Sequence, residues 1–186
     1  MGSNPTLSAT CLYGKGGKMR KLLLVSLFFC LLISCAPKKS VTVYFSKATE
    51  TDFYLVPVKR TVSSGDLYRL ALEELIKGPE NQEEGNAVLP KTTRVLSIEK
   101  RGDILTVNFS KEIVFDANMV GVSSSTEALA LASIANTLTE FPEIKGVKIL
   151  IEGKESGEID GRIIEDFWGH IGIRDILTRN ETLNPP

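Results

Sequence analysis

Between Ser124 and Leu138 the chain sets Ala128, Leu129, Leu131, Ala132, Ile134, Ala135 and Leu138 around nearly every side of a helix. A helix of this kind has no face to give to water, so the rest of the fold must be built around it. Ser124 can cap its first turn while Glu127, three residues on, reaches back to complete a capping box. Phe141-Pro142 ends it.

The flanking segments supply the walls. Val41, Val43 and Phe45 alternate with Thr42 and Tyr44, the pattern of a half-buried strand, and Phe53 to Arg60 reads as a second strand. Pro57 has no amide hydrogen and confines that strand to an edge or a bulge. Ser63-Ser64-Gly65-Asp66 is an N-cap cluster. The rows Leu67, Ala71, Leu75 and Tyr68, Leu72, Ile76 then form one apolar helix face that Gly78-Pro79 stops. After a polar loop from Glu80 to Pro90, the runs Val95 to Glu99 and Ile104 to Phe109 flank Lys100-Arg101-Gly102-Asp103 as a β-hairpin. Beyond the apolar helix, Val147 to Ile151 reads as a central strand closed by Gly153, and Glu158 to Ile164 adds a further strand. The order implies an α+β domain, a mixed β-sheet with two main helices packed on one face.

The N-terminal segment stands apart from this domain. Met19-Arg20-Lys21 precedes Leu22 to Ile33, apolar except for Ser26, and Ser34-Cys35 follows. This is the layout of a signal peptide: twelve helical residues rise about 18 Å, short of a hydrocarbon core of about 30 Å. Residues 1–18 precede the basic n-region and read as an over-called start, with Met19 the natural one. Leu32-Ile33-Ser34-Cys35 resembles the bacterial lipobox, which implies that the Cys35 thiol is joined to diacylglycerol and that the peptide is cut before it. The expected organisation is a signal peptide region at 1–34, a lipidated cysteine and linker at 35–40, one domain at 41–179, and a tail at 180–186. The expected location is extracytoplasmic, anchored to the bacterial membrane through Cys35, since acyl chains hold a protein there.

Charge and cysteine content narrow the chemistry. The chain has 22 basic and 23 acidic side chains, but its first 35 residues hold four basic ones and no acid, so the body is acidic. An acidic body without a basic face is unsuited to nucleic acid. Cys11, Cys30 and Cys35 all precede residue 36, so the body forms no internal disulfide and no cysteine zinc site.

Two strings of residues resemble a known family. Leu75-Ile76-Lys77-Gly78-Pro79, Glu83, Leu89-Pro90 and Val107-Asn108-Phe109-Ser110 are similar to the first half of a GerMN domain. Ser124 to Glu127, Asn136-Thr137-Leu138-Thr139-Glu140-Phe141-Pro142 and Val147-Lys148-Ile149-Leu150-Ile151-Glu152-Gly153 are similar to its second half. The resemblance covers a core at 41–153 in a single copy, and 154–179 is its C-terminal extension. It implies a non-enzymatic extracytoplasmic domain, often carried on a bacterial lipoprotein and in some members associated with spore formation and germination.

No pattern of catalytic residues competes with that implication. His170 is the sole histidine, so a hydrolytic triad or an imidazole metal site lacks partners, and a structural or surface role is the plainer reading. Glu152, Glu155, Glu158, Asp160, Glu165 and Asp166 crowd the C-terminal third, where carboxylates in turns are usually solvated rather than paired for catalysis. Arg101-Gly102-Asp103 follows from turn chemistry. Neither catalytic nor metal residues are assigned, and no cofactor is expected. Phe167 and Trp168, in a glycine-punctuated segment, either plug the open end of the core or stand out as an aromatic anchor for a partner. Strand addition to Phe53–Val58 is a second docking mode, which Pro57, Lys59 and Arg60 guard against. The function read from the sequence is a lipid-anchored, non-catalytic interaction or assembly module of the cell envelope, with a protein partner there. The alternative is a lipoprotein binding a small ligand or peptidoglycan fragment, accessory to cell-wall remodelling.

Overall fold

The computed structural model describes residues 38–186 except 117–121, 174, 184 and 186. Strands β1 (Lys39–Ala48) and β2 (Phe53–Val62) form an antiparallel hairpin in register from Lys39↔Val62 to Ala48↔Phe53. Val41, Val43 and Phe45 are buried on one face, as their alternation requires. Tyr44 and Pro57 are directly opposite. The amide of Leu55, two residues from Pro57 and so pointing the same way, leaves the hairpin and donates to the Leu183 carbonyl at 2.6 Å. Pro57 therefore takes no donor from the ladder, which is why proline is tolerated on this edge strand.

Asp66 caps helix α1 (Leu67–Lys77), its carboxylate accepting the amides of Tyr68 and Arg69 at 3.1 and 3.3 Å. Ala71, Leu72, Leu75 and Ile76 form its buried face, and Gly78 ends it at φ 85°. A one-turn 3₁₀ helix, Gln82–Glu84, leads toward β3 (Val95–Arg101) and β4 (Ile104–Phe109), an antiparallel pair irregular between Val95 and Ser97. Strand β5 (Gly146–Ile151) lies parallel to β4. A parallel neighbour requires a crossover, and here it contains the short helix α2 (Glu112–Phe115) and the long helix α3 (Ser124–Thr139). Leu105, Val107 and Phe109 meet Val147, Ile149 and Ile151 on the buried face of this three-stranded mixed sheet.

The class is α+β. The mixed sheet is β3-β4-β5, and the β1–β2 hairpin pairs separately. Helix α3 explains the separation, because its polar side chains take the place of a neighbouring strand along β1. The Tyr44 amide donates to Thr137 Oγ1 at 3.2 Å, and the Ser133 hydroxyl donates to the Tyr44 carbonyl. Further along, Ser46 and Asn86 exchange backbone bonds of 3.3 and 2.7 Å.

The start of α3 differs from the sequence reading by one residue. Ser123 is the cap: its hydroxyl accepts the Thr126 amide at 3.3 Å and its own amide donates to Thr126 Oγ1 at 2.8 Å. Within Ser123-Ser124-Ser125 the local pattern fits more than one register. Burial selects this one, because it turns Glu127 away from the cap and into the domain. From Leu129 to Leu138 the helix is buried at every position.

Candidate functional site

After β5 the chain makes a minimal hairpin, β6 (Glu158–Ile159) with β7 (Arg162–Ile163), and then crosses the ends of α2 and α3. Ile164 and Phe167 anchor this crossing in the core. Phe167 is 1% exposed and adopts φ 52°, the left-handed region that bulky residues rarely occupy. Its ring stacks on Trp168 with centroids 5.1 Å apart and planes inclined by 18°. Trp168 is half-buried and donates its indole N–H to the Ile113 carbonyl at 2.9 Å. Arg162 donates to the Val114 carbonyl at 2.8 Å and lies 5.2 Å from the centre of the Phe115 ring. Both carbonyls belong to the last turn of α2, where a helix leaves acceptors without internal donors. The C-terminal extension therefore completes α2.

Glu127 fixes the next three residues. Its carboxylate is fully buried, with Oε2 accepting the His170 amide at 2.9 Å and Oε1 accepting those of Ile171 and Gly172 at 3.1 and 2.9 Å. Three converging amides satisfy the anion as water otherwise would. Gly172 cannot be replaced here: a Cβ would lie 2.4 Å from the Glu165 carbonyl oxygen, at φ 86°. Held in this way, the segment presents Ile171 at 54% exposure, and the preceding hairpin presents Ile163 at 50%.

The final segment crosses back over both sheets. Leu177 exchanges two 2.8 Å backbone bonds with Val147 on β5. Arg179 donates to the Tyr44 hydroxyl at 2.6 Å and pairs with Glu140 at 2.8 Å and Glu181 at 2.7 Å. Burial pushes the Tyr44 hydroxyl above its ordinary pKa, and the Glu140 carboxylate accepting its proton at 2.6 Å adds to this. Leu183 packs on Tyr44, Leu55, Leu129 and Ala132, a small core of its own on the outer side of the hairpin.

The residues singled out from the sequence fall in different places. Cys35 and the stretch expected to be a signal peptide lie outside the described residues. Phe167 is inside the core and Trp168 is beside it, half open to solvent. At His170 the bond to Glu127 comes from the backbone amide. The C-terminal carboxylates are spread over separate structural contacts: Glu152 accepts the Lys111 amide at 2.8 Å, Asp160 pairs with the Lys111 amine at 2.5 Å, Glu155 pairs with Lys148 at 2.6 Å, and Glu165 accepts the Gly157 amide at 2.8 Å.

Arg60 is not a guard on the strand edge. It lies opposite Val41 on the core face, 6% exposed, in a two-pronged bond to Glu84 whose Nη1–Oε1 distance is 2.6 Å. Period-two alternation places it there, and Glu84 makes the burial tolerable. That contact, with the Glu80 amide bonding the same carboxylate, holds the Glu84 pKa down to about 2.

Sequence reasoning passed over Glu127 as a clamp, although a signal was present: it lies four residues before Leu131, on the same side of a helix with no solvent face. Among the described residues no group of three or more His, Cys, Asp or Glu side chains is arranged to hold a metal ion, and no helix is long and apolar enough to cross a membrane.

These contacts define an α+β domain closed by its own C-terminal extension. The family model described as Germane, sporulation and spore germination, matches residues 42–157, more than half of the chain, and the chain belongs to that family. The spore germination protein GerM of Bacillus subtilis (strain 168) is 32% identical over 117 residues, which are 61% of this chain and 31% of that protein. The chain thus matches about a third of the length of this curated relative. The solved tandem GerMN domains of the B. subtilis sporulation protein GerM superpose with a TM-score of 0.60 at 24% identity, covering 80% of this chain and 48% of that one. The first GerMN domain of that protein gives a TM-score of 0.54 at 24% identity over 76% of this chain and 98% of that one. A candidate lipoprotein from Clostridium perfringens gives 0.50 at 24% identity over 80% and 93%. These three establish likeness of fold, and the GerMN resemblance seen in the sequence is confirmed.

Proposed function

We propose that this chain is a non-catalytic interaction module, anchored by lipid at Cys35 on the outer side of a bacterial membrane, where it binds a protein of the cell envelope. One observation carries the binding role: Glu127 holds residues 170–172 by three backbone bonds, so that exposed Ile171 projects from a fixed backbone near half-buried Trp168. Apolar side chains presented without loss of loop freedom on binding suit a protein interface. Membership of a sporulation and germination family supports a part in assembly during those processes. Leu32-Ile33-Ser34-Cys35 supports the anchor.

Two measurements test the reading. Mass spectrometry of the mature protein should find Cys35 at its N-terminus with added lipid mass, and Cys35→Ser should accumulate an unprocessed precursor. A mature N-terminus elsewhere would sink the anchor. A photo-crosslinker at Ile171 should yield an envelope-protein adduct in cells that Ile163→Asp weakens without loss of stability. Adduct yield no greater than from a crosslinker at Thr51 would sink the binding role.

A further inference from the structure

A lipid on Cys35 would leave little slack. Three peptide links join Cys35 to Lys38, the first described residue, a reach of at most about 11 Å at 3.8 Å per link. Residue Lys39, where β1 begins, is thus confined close to the lipid headgroups, a layer of roughly 5–7 Å on each side of the bilayer.

The fold determines what else lies there. Lys39 pairs with Val62, and Ser63–Asp66 leads from Val62 into α1. Helix α3 runs antiparallel to β1, since Thr137 meets the Tyr44 amide and Ser133, one turn earlier, meets its carbonyl. The C-terminal end of α3 therefore points to the same end of the domain. Phe141 confirms this with an edge-on contact to Tyr68, in the first turn of α1, at 4.8 Å.

Charge separates the two ends of the hairpin. Lys38, Lys39 and Lys59, the last opposite Thr42, are all exposed at or near the tether, and none forms an ion pair among the described residues. Two acids share this end, Asp66, which caps α1, and Glu143, which accepts the Tyr68 hydroxyl at 2.6 Å; both keep their charge, and the three lysines outnumber them. The opposite end carries Glu50 and Asp52 in the β1–β2 turn, with exposed Glu80 and Glu83 after α1. Its basic residues include Lys47, half-buried opposite Tyr54, and Lys77, which pairs with Glu74 and Glu80, so acids still predominate there.

We infer that the domain sits on anionic phospholipid headgroups by its β1-start end, through Lys38, Lys39 and Lys59, with the acidic turn at Glu50–Asp52 directed away from the membrane. The inference rests on the Cys35 anchor and goes beyond it by assigning a face. Lysines near an anionic surface add to acyl-chain binding, and the acidic turn is repelled by the same surface.

The test uses the full lipoprotein, extracted from bacterial membranes and reconstituted in vesicles. After Cys35 the chain has no cysteine, so Ser64→Cys and Thr51→Cys each place a single reactive thiol at opposite ends of the hairpin. With a fluorophore on that thiol and a quencher on the lipid headgroups, vesicles of phosphatidylcholine mixed with phosphatidylglycerol should quench the Ser64 position severalfold more than Thr51. The difference should shrink on phosphatidylcholine alone, at high salt, and in Lys38→Glu/Lys39→Glu/Lys59→Glu. Equal quenching at both sites in a membrane-bound chain overturns the inference and leaves the anchor standing. A difference unchanged on phosphatidylcholine alone overturns the role of the lysines. A chain without lipid mass overturns the anchor, and the inference with it.

Discussion

The side-chain amide of Asn136 binds the backbone of Asn180 as a strand would, donating to its carbonyl at 3.0 Å and accepting its amide at 2.8 Å. Asn136 is fully buried on α3, and Asn180 belongs to the segment that closes over the outer side of the β1–β2 hairpin. Asn136→Asp keeps the acceptor and loses the donor, leaving a carboxylate against a carbonyl. It should destabilise the domain by about 2–3 kcal/mol in denaturant unfolding. Amides near Asn180 should exchange faster, whereas those of β4 should change far less.

Glu127→Gln tests the second fastening. The glutamine oxygen can serve Ile171 and Gly172, but its NH₂ then faces the His170 amide, donor against donor. We expect a loss of about 1.5–3 kcal/mol, the range for hydrogen bonds to charged groups. Hydrogen exchange should quicken at residues 170–172 first. Unchanged protection there would show that the clamp is not what orders the loop.

Arg60 and Glu84 predict a pH effect. Because the Glu84 carboxyl is held near 2 in the folded protein against an ordinary 4.5, its contribution is complete above the ordinary value and is lost as pH falls toward 2. Stability measured across that window should decline less steeply in Glu84→Gln, whose side chain does not titrate. An identical slope would contradict the pairing.

Tyr68 should titrate late. Its hydroxyl donates to Glu143 and is pushed up to about 12, so its contribution is present below the ordinary value of 10 and disappears as pH rises through 12. Ultraviolet titration should show a phase near 12 that is missing in Tyr68→Phe.

Trp168 is the chain's only tryptophan, so its fluorescence reports directly on the extension. Trp168→Phe removes the bond to Ile113 and should cost about 1 kcal/mol. Trp168→Ala also exposes Phe167 and should cost about 2–4 kcal/mol, below the full range for a wholly buried ring. Stability unchanged by alanine, together with loss of crosslinking from Ile171, would make Trp168 a binding anchor instead.

Leu131→Ala should cost about 2–5 kcal/mol, since it opens a cavity in the helix against which both sheets pack. A change under about 0.5 kcal/mol would mean that α3 is not central.

Much of this fold could be read from short-range pattern. Alternation at Val41, Val43 and Phe45, the four-residue rows of α1, the stop at Gly78 and the all-round apolar surface of α3 are local consequences of backbone period, and they suffice for the α+β class. The GerMN strings are likewise local. Contacts between distant segments were not legible in this way. Serine, threonine and asparagine on α3 looked like ordinary polar interruptions, yet Ser133 and Thr137 complete β1 and Asn136 holds Asn180. Glu127 and Arg60 carried the charge of surface residues, yet both are buried because their partners, three amides for Glu127 and the carboxylates of Glu84 and Glu74 for Arg60, arrive from other parts of the chain. The sequence by itself determined which stretches must become helix or strand and which sides of them avoid water. Only the tertiary structure decided where each buried polar group finds its partner, because a hydrogen bond depends on a few ångströms between residues far apart in the chain, over a hundred positions for Tyr44 and Arg179, and no periodicity encodes that distance.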